Sequence, residues 1–369
     1  MKRSEQNGFL SDETQQRIGY WPSPKYLKSV VMVGHHCRGM GCVGDDKASR
    51  GSDWIVRAID MDDPRPVYVS VWGSGNTLAQ AIWDVSKTRT EEELKVFLQK
   101  LRVYTIGDQD RGQYALYSTS AQYWMRKTFP DLFHIIGSGG ASSYTRTIRD
   151  EYWSLYKSEI QGKANIGSIY PNYIYGVEGD SPSWLYLWPG LNDPEDPTQS
   201  SFGGRFVTGV TQDGSTIAYQ DDSSDAANRS SEALSTTIPD QVNDFVARMN
   251  WAANGSGNRN PTLVLEAEKG YAPVVLNGTV NSTVRVSAEG SIDPEGDALS
   301  YSWTHDDGTG YSGKVLLSGS NSSTVTVTVP SDASGDNIHI VVRAVDDGSP
   351  PLASYRQCDH PGELTNGCS

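Results

Sequence analysis

Apolar and polar positions alternate with two different periods along this chain. Asp53–Ile59 has a helical pattern, and Pro66–Trp72 (PVYVSVW) is a β-rich run suited to a buried strand. Gly73–Gly75 turns the chain, and Asn76–Asp84 opens a second helix. Thr90 and Glu93 have capping-box spacing, each side chain within reach of the other's backbone N–H. Leu94, Phe97, Leu98 and Leu101 follow on one helical face. Arg102–Ile106 predicts a strand, Ser118–Phe129 a helix and Leu132–Ile136 another strand. Strands alternating with helices imply a parallel α/β sheet, in which ligands bind beyond the C-terminal strand ends. The loops at Trp72–Asn76, Asp108–Asp110 and Ser138 fall at those ends.

Further on, the pattern weakens and then changes. Residues 165–215 are loop-rich and aromatic, with Tyr170, Tyr173, Tyr175, Trp184, Tyr186 and Trp188. Residues 211–236 are Ser/Asp-rich and are expected to form an exposed insertion. A helix returns with Val242, Phe245, Val246 and Met249 on one face and Pro239 near its start. Asn254–Asn260 is a plausible linker. Beyond it, short runs at Thr262–Leu265, Thr283–Ala288, Leu299–Trp303, Ser323–Val329 and Asn337–Ala344 read as a small β-sandwich. The expected organisation is an α/β domain over 1–255, an all-β sandwich over 260–357 and a tail over 358–369.

Composition narrows the function classes. The 369 residues carry a net charge of −14, which gives no attraction to phosphate backbones or anionic lipid. Neither a nucleic-acid partner nor a membrane is therefore expected, and no apolar run reaches spanning length. Tyr (19) and Trp (10) are dense enough to suggest sugar-binding surfaces beside their usual role in cores. The four cysteines read most simply as local disulfides, Cys37–Cys42 and Cys358–Cys368, with zinc ligation and free thiols as alternatives. His35 and His36 are adjacent in a Gly-rich loop, a spacing that suits loop packing better than a shared metal. The acidity, the few cysteines and sequons at Asn228, Asn254, Asn277, Asn281 and Asn321 together favour an extracellular protein. Residues 1–30 contain no signal-peptide core, so either the chain is not secreted or the sequence starts downstream of the true start.

Several segments together resemble a known family. They are GSDWIVRAIDMDDPRPVYVSVWGSGNTLAQAI (51–82), LRVYTIGDQD (101–110), VEGDSPSWL (177–185), SFGGRF (201–206) and DFVARMNWA (244–252). SIDPEGDALSYSW (291–303) and IHIVVRAVDDGSPPLASYR (338–356) continue the match. The chain resembles cellulose-binding proteins that join a nucleoside-hydrolase-like domain to an immunoglobulin-like C-terminal domain. The resemblance implies a nucleoside-hydrolase-like parallel sheet followed by an immunoglobulin-like sandwich. It also implies a carbohydrate (cellulose or a related glycan) or a nucleoside-like small molecule as partner, and hydrolysis of N-glycosyl bonds if the site is active. One departure stands out. No strand ending in an Asp-rich loop precedes Asp45-Asp46, so the first strand and its calcium loop are expected to be missing.

By this resemblance Asp180 is a calcium ligand and Asn76 lines the sugar pocket. Asp108, Asp110 and Glu178 are the candidate catalytic carboxylates. Trp72, Asn76, Trp153, Trp184 and Arg205 are the candidate substrate-binding residues. Plainer roles compete: Asp108 and Asp110 as caps, Glu178 paired with Arg205, and Asn76 as a helix cap. Asn76, Asp108 and Asp180 are expected to meet in one cleft. Without the Asp-rich loop, calcium binding should be poor and nucleoside hydrolysis slight. Two other readings are a carbohydrate-binding protein without turnover and an adhesive module. In the last, Asp293, Asp297 and Asp346 either hold structural calcium or simply form turns.

Overall fold

The computed structural model describes residues 22–111, 116–174, 177–223 and 229–361. Five strands form the first sheet: β1 Val67–Val71, β2 Leu101–Thr105, β3 His134–Ile136, β4 Phe206–Val210 and β5 Ile217–Asp221. Their order is β1-β2-β3-β5-β4, with every pairing parallel except β4 with β5. The expected α/β class is therefore observed. Side chains of β2 alternate across the sheet as the two-residue period requires. Leu101 and Val103 pack with Ile82, Phe97, Ala121 and Met125, whereas Tyr104 packs with Ile135, Tyr186 and Phe206.

Local chemistry sets the helix starts. In the helix Arg50–Ile59, Ser49 and Ser52 form a capping box. In Glu91–Gln99, Glu93 N donates to Thr90 Oγ1 at 3.3 Å and Thr90 N to Glu93 Oε2 at 3.0 Å, as its spacing predicts. The helix Asn76–Thr88 starts after Gly75, which supplies no side-chain cap, so Asn76 is the first helical residue and not the cap.

The expectation of an exposed insertion over 211–236 is corrected. β5 lies inside that segment and fills the sheet between β3 and β4. The helix that follows spans Arg229–Asn254, with Pro239 in its interior. Its polar N-terminal half is held helical by burial of Leu234 and Ile238, while its hydroxyls turn back onto the helix. Thr236 Oγ1 donates to Glu232 O at 2.9 Å and Thr237 Oγ1 to Ala233 O at 3.1 Å. Leu234, Ile238, Val242 and Val246 on this helix pack with Tyr144, Ile148, Tyr156 and Ile160.

The remainder is all-β. One sheet has the order β10-β13-β14-β8, from Leu299–Asp306, Asn337–Asp346, Ala353–Pro361 and Val274–Val275. The other is β11-β12-β9, from Leu316–Ser318, Thr324–Thr328 and Thr283–Ser287. A small hairpin, β6 Val264–Leu265 with β7 Glu268–Lys269, completes it. Trp303, Val286, Val325, Val327, Ile338, Ile340 and Val342 fill the space between the sheets. Among the described residues no strand before residue 258 pairs with one after it.

The tail expected from residue 358 starts later, because β14 runs to Pro361 and Cys358 is buried in the sandwich core. Cys37 and Cys42 form the expected disulfide. Among the described residues Cys358 has no disulfide partner, and its expected partner Cys368 lies outside them, as do Tyr175 and the Asn228 sequon. The linker is tied down: Trp251 Nε1 donates to Asn258 O at 2.7 Å, and Asn260 Nδ2 to Ala353 O at 3.1 Å. Across the junction Arg343 grips Asp240 with two bonds of 2.7 Å, and the Tyr355 hydroxyl donates to the same carboxylate. No described helix is long and apolar enough to cross a membrane.

Candidate ligand site

The segment 177–185 docks on the C-terminal end of β1. Ser70 Oγ donates to Ser183 O at 3.1 Å, and the Trp72 indole N–H donates to Ser183 Oγ at 2.6 Å. Ser183 Oγ in turn donates to Asp180 O at 2.6 Å. Pro182 stands at the start of the short helix Pro182–Leu185, where its missing N–H costs nothing. Glu178 has φ of 51°, left-handed backbone that only a fixed surrounding sustains in a non-glycine residue. This geometry turns its carboxylate inward.

There the Tyr170 hydroxyl donates to Glu178 Oε1, and the Tyr156 hydroxyl to Oε2 at 3.4 Å. Burial raises the Glu178 pKa above its ordinary value, and the tyrosine hydroxyls only partly offset this. Tyr156 and Tyr170 are pushed up as well, first by burial and then by neighbouring groups that include the Glu178 charge, so they stay protonated as donors. A cavity of about 440 Å³ opens beside this carboxylate. Tyr144, Tyr156, Trp184, Trp188 and Phe245 form its apolar walls, and Gln241, Asp244 and Arg248 are its polar rim on the long helix. Arg248 pairs with Asp244 four residues earlier. Few polar groups among aromatic walls is the usual make-up of a small-molecule pocket.

The other candidates lie elsewhere. Asp110 is 1% exposed, and both of its oxygens are used in holding local structure. Oδ1 accepts Ser120 Oγ at 2.5 Å, while Oδ2 accepts Ala121 N at 3.0 Å and Gly75 N at 3.3 Å. It fastens the start of the helix Ala121–Thr128 to the loop after β1. Asp108 forms a two-bond pair with Arg126, at 2.6 and 2.8 Å, and Arg126 also reaches Asp213 at 2.9 Å. These carboxylates are occupied rather than free to take a proton from water. Asp108 also lines a separate cleft of about 460 Å³ with Ser138, Gln220 and Asp221, beyond the ends of β2, β3 and β5.

The expected meeting of Asn76, Asp108 and Asp180 is corrected, since neither cavity has Asn76 or Asp180 in its lining. Asn76 is buried, its Nδ2 donating to His35 O at 3.3 Å. Asp180 is exposed, and desolvation by the atoms around its carboxylate raises its pKa. The expected Glu178–Arg205 pair does not form. Arg205 contacts Asp222 at 3.2 Å and donates to Gly308 O in the sandwich. Trp153 stacks edgewise on Tyr173 at 4.8 Å and flanks Tyr156 from outside the cavity lining. Trp72 is 59% exposed at the strand end.

Glu178 and Trp184 are thus the predicted residues that share a cavity. Tyr144, Tyr156, Gln241 and Phe245 were missed as site residues; the spacing of Phe245 with Val242 and Val246 looked only like a core face. Among the described residues no group of three or more His, Cys, Asp or Glu side chains is placed to hold a metal ion. The calcium set implied for Asp180 is not assembled from them.

Comparisons with known proteins bear on this geometry. A model described as "Cellulose-binding Sde182, nucleoside hydrolase-like domain" matches residues 10–206, and one described as "Cellulose-binding protein Sde0182, C-terminal domain" matches 283–358. Among solved structures, a nucleoside hydrolase-related hypothetical protein from Saccharophagus degradans, described as associated with carbohydrate metabolism, is 34% identical. That match covers 98% of this chain and 85% of the other, with a TM-score of 0.85. A PKD domain from the KIAA 1837 protein and the human CDH23 EC21-23 structure, each 20% identical, cover 31% and 28% of this chain at TM-scores of 0.21 and 0.22. No curated protein matches the chain.

Proposed function

Since the chain belongs to the family of cellulose-binding proteins with a nucleoside hydrolase-like domain, we propose that it binds carbohydrate, with one sugar unit seated in the cavity beside Glu178. The observation that carries this reading is the Glu178 carboxylate, held by two tyrosine hydroxyls among aromatic walls. A sugar ring has apolar faces and hydroxyl edges. Trp184 and Trp188 offer surfaces to the faces, and Glu178 accepts from the hydroxyls. The family suggests cellulose or a related glycan as the source of that unit. An extracellular setting suits such a polymer and keeps the Cys37–Cys42 disulfide oxidised.

Hydrolysis of an N-glycosyl bond is a second reading, and the raised pKa of Glu178 favours it. A carboxyl that holds its proton more tightly than a free one is better suited to protonate a leaving group. The test is calorimetric titration with cello-oligosaccharides and with nucleosides, beside retention on insoluble cellulose and an assay for released base. Saturable sugar binding without released base supports the first reading. Turnover of nucleosides supports the second, and neither binding nor turnover would overturn both.

A further inference from the structure

The turns 293–297 and 346–352 lie together at one end of β10 and β13, where Leu299 pairs with Asp346. Ala298 N donates to Asp347 Oδ1 at 2.8 Å and joins them. The linker enters the same knot. Asn258 Nδ2 donates to Asp346 Oδ1 at 2.9 Å and to Pro350 O at 2.8 Å, and Arg259 Nε donates to Glu295 Oε1 at 2.6 Å.

Two carboxylates here share one pattern. Asp293 Oδ1 accepts Glu295 N at 2.8 Å and Asp297 N at 3.1 Å. Asp346 Oδ1 accepts Gly348 N and Leu352 N, both at 3.0 Å, besides Asn258. Turn formation therefore accounts for one oxygen of each. Among the described residues the other oxygen, Oδ2, is buried and without a hydrogen-bond partner in both, and the two residues are only 8% and 4% exposed. Half-buried Asp297 has its pKa raised first by desolvation and then by the charges of Asp293, Asp347, Asp346 and Glu295, which belong to the same pair of turns. A buried carboxylate oxygen with no donor is costly unless a proton or a cation compensates it.

We propose that a hard divalent cation of calcium's kind is held by Asp293 Oδ2 and Asp346 Oδ2, fastening the linker to the sandwich. Three His, Cys, Asp or Glu side chains do not close on one point among the described residues. The site is thus a two-carboxylate one, completed by carbonyl oxygens and water, which calcium accepts more readily than magnesium does. Two carboxylates also cancel the charge of the ion. The site is independent of the Glu178 cavity, and its test does not depend on any sugar.

The experiment uses the full chain, stripped with chelator and titrated with calcium chloride or magnesium chloride. Calorimetry and thermal melting are read together with hydrogen exchange at Asp297, Gly348 and Leu352. Calcium should bind, raise the Tm by a few degrees and slow exchange at those three amides, with magnesium weaker. Asp293→Asn and Asp346→Asn should each lower calcium affinity at least tenfold, whereas Asp180→Asn should keep it. In chelator, Asp293→Asn should melt no lower than the parent, because it removes a buried charge; a purely structural aspartate would lose stability with or without calcium. If both Asn variants fail to fold, the exchange data on the parent decide. Absence of a calcium response in the parent would overturn the proposal. So would a response that survives both Asn substitutions, disappears with Asp180→Asn, or leaves the three amides unprotected.

Discussion

Replacing Glu178 by Gln separates binding from stability, because the two should move in opposite directions. The substitution keeps the shape of the side chain and removes its charge. A hydrogen bond from a sugar hydroxyl to a carboxylate contributes about 1.5–3 kcal/mol, more than one to a neutral acceptor. Loss of the charge-assisted part, about 1–1.5 kcal/mol, should weaken sugar binding roughly 5- to 10-fold. Stability follows the pKa. Burial raises the Glu178 pKa above its ordinary value of 4.5, so the folded state holds that proton more tightly than the unfolded chain does. The stability linked to it is fully present below the unfolded pKa and is lost as pH rises through the folded one. Gln has no such dependence. The melting temperature of Glu178→Gln should therefore gain on that of the parent as pH rises from about 4 to 7, while its affinity for cello-oligosaccharide falls. Thermal melts across that range and calorimetry at neutral pH would measure both. A variant less stable than the parent at every pH, with sugar affinity unchanged, would refute the placing of Glu178 as a buried ligand acceptor.

Other perturbations probe separate parts of the molecule. Trp184 is 45% exposed on the cavity wall, so Trp184→Ala should cost about 0.5–1.5 kcal/mol of stacking in sugar titrations. Its urea midpoint should change little. Arg126→Met strands two carboxylates, Asp108 and Asp213, and should destabilise the fold by about 3–5 kcal/mol in urea unfolding. Adding Asp108→Asn to that variant should recover part of the loss. Asp240→Asn weakens the contacts with Arg343 and Tyr355 across the junction and should cost about 1–3 kcal/mol by the same measurement.

Legibility in the sequence tracked how local the governing physics is. β1 and β2 are short runs rich in Val and Tyr, and the Thr90–Glu93 box needs only neighbours three residues apart, so each stands where its pattern places it. β5 was hidden because Ile217–Asp221 sits among Ser and Asp residues, and its strand state comes from pairing with β3 and β4. The start of the long helix was hidden because Ser and Thr favour turns, whereas here Leu234 and Ile238 bury it against residues distant in sequence. In the candidate site, a strand-end aspartate looks the same on paper whether free or occupied. Asp108 is spoken for by Arg126, 18 positions away, and Asp110 by backbone amides on both sides. Glu178 and Trp184 were legible through their short segment, but the tyrosines that enclose them come from other parts of the chain.

The packing of Val341 and Tyr355 into the apolar cluster of the long helix has a bearing on how this protein comes apart. That cluster also holds Tyr144, Tyr156 and Leu185 from around the candidate cavity. A cut near Gly255 would expose an apolar stripe on the helix and a matching face on the sandwich, so neither fragment would behave as a free-standing module. Heat or denaturant should instead dismantle both halves in a single cooperative step. Damage to the sandwich would then be felt at the cavity, and a ligand seated beside Glu178 would protect strands that it never touches.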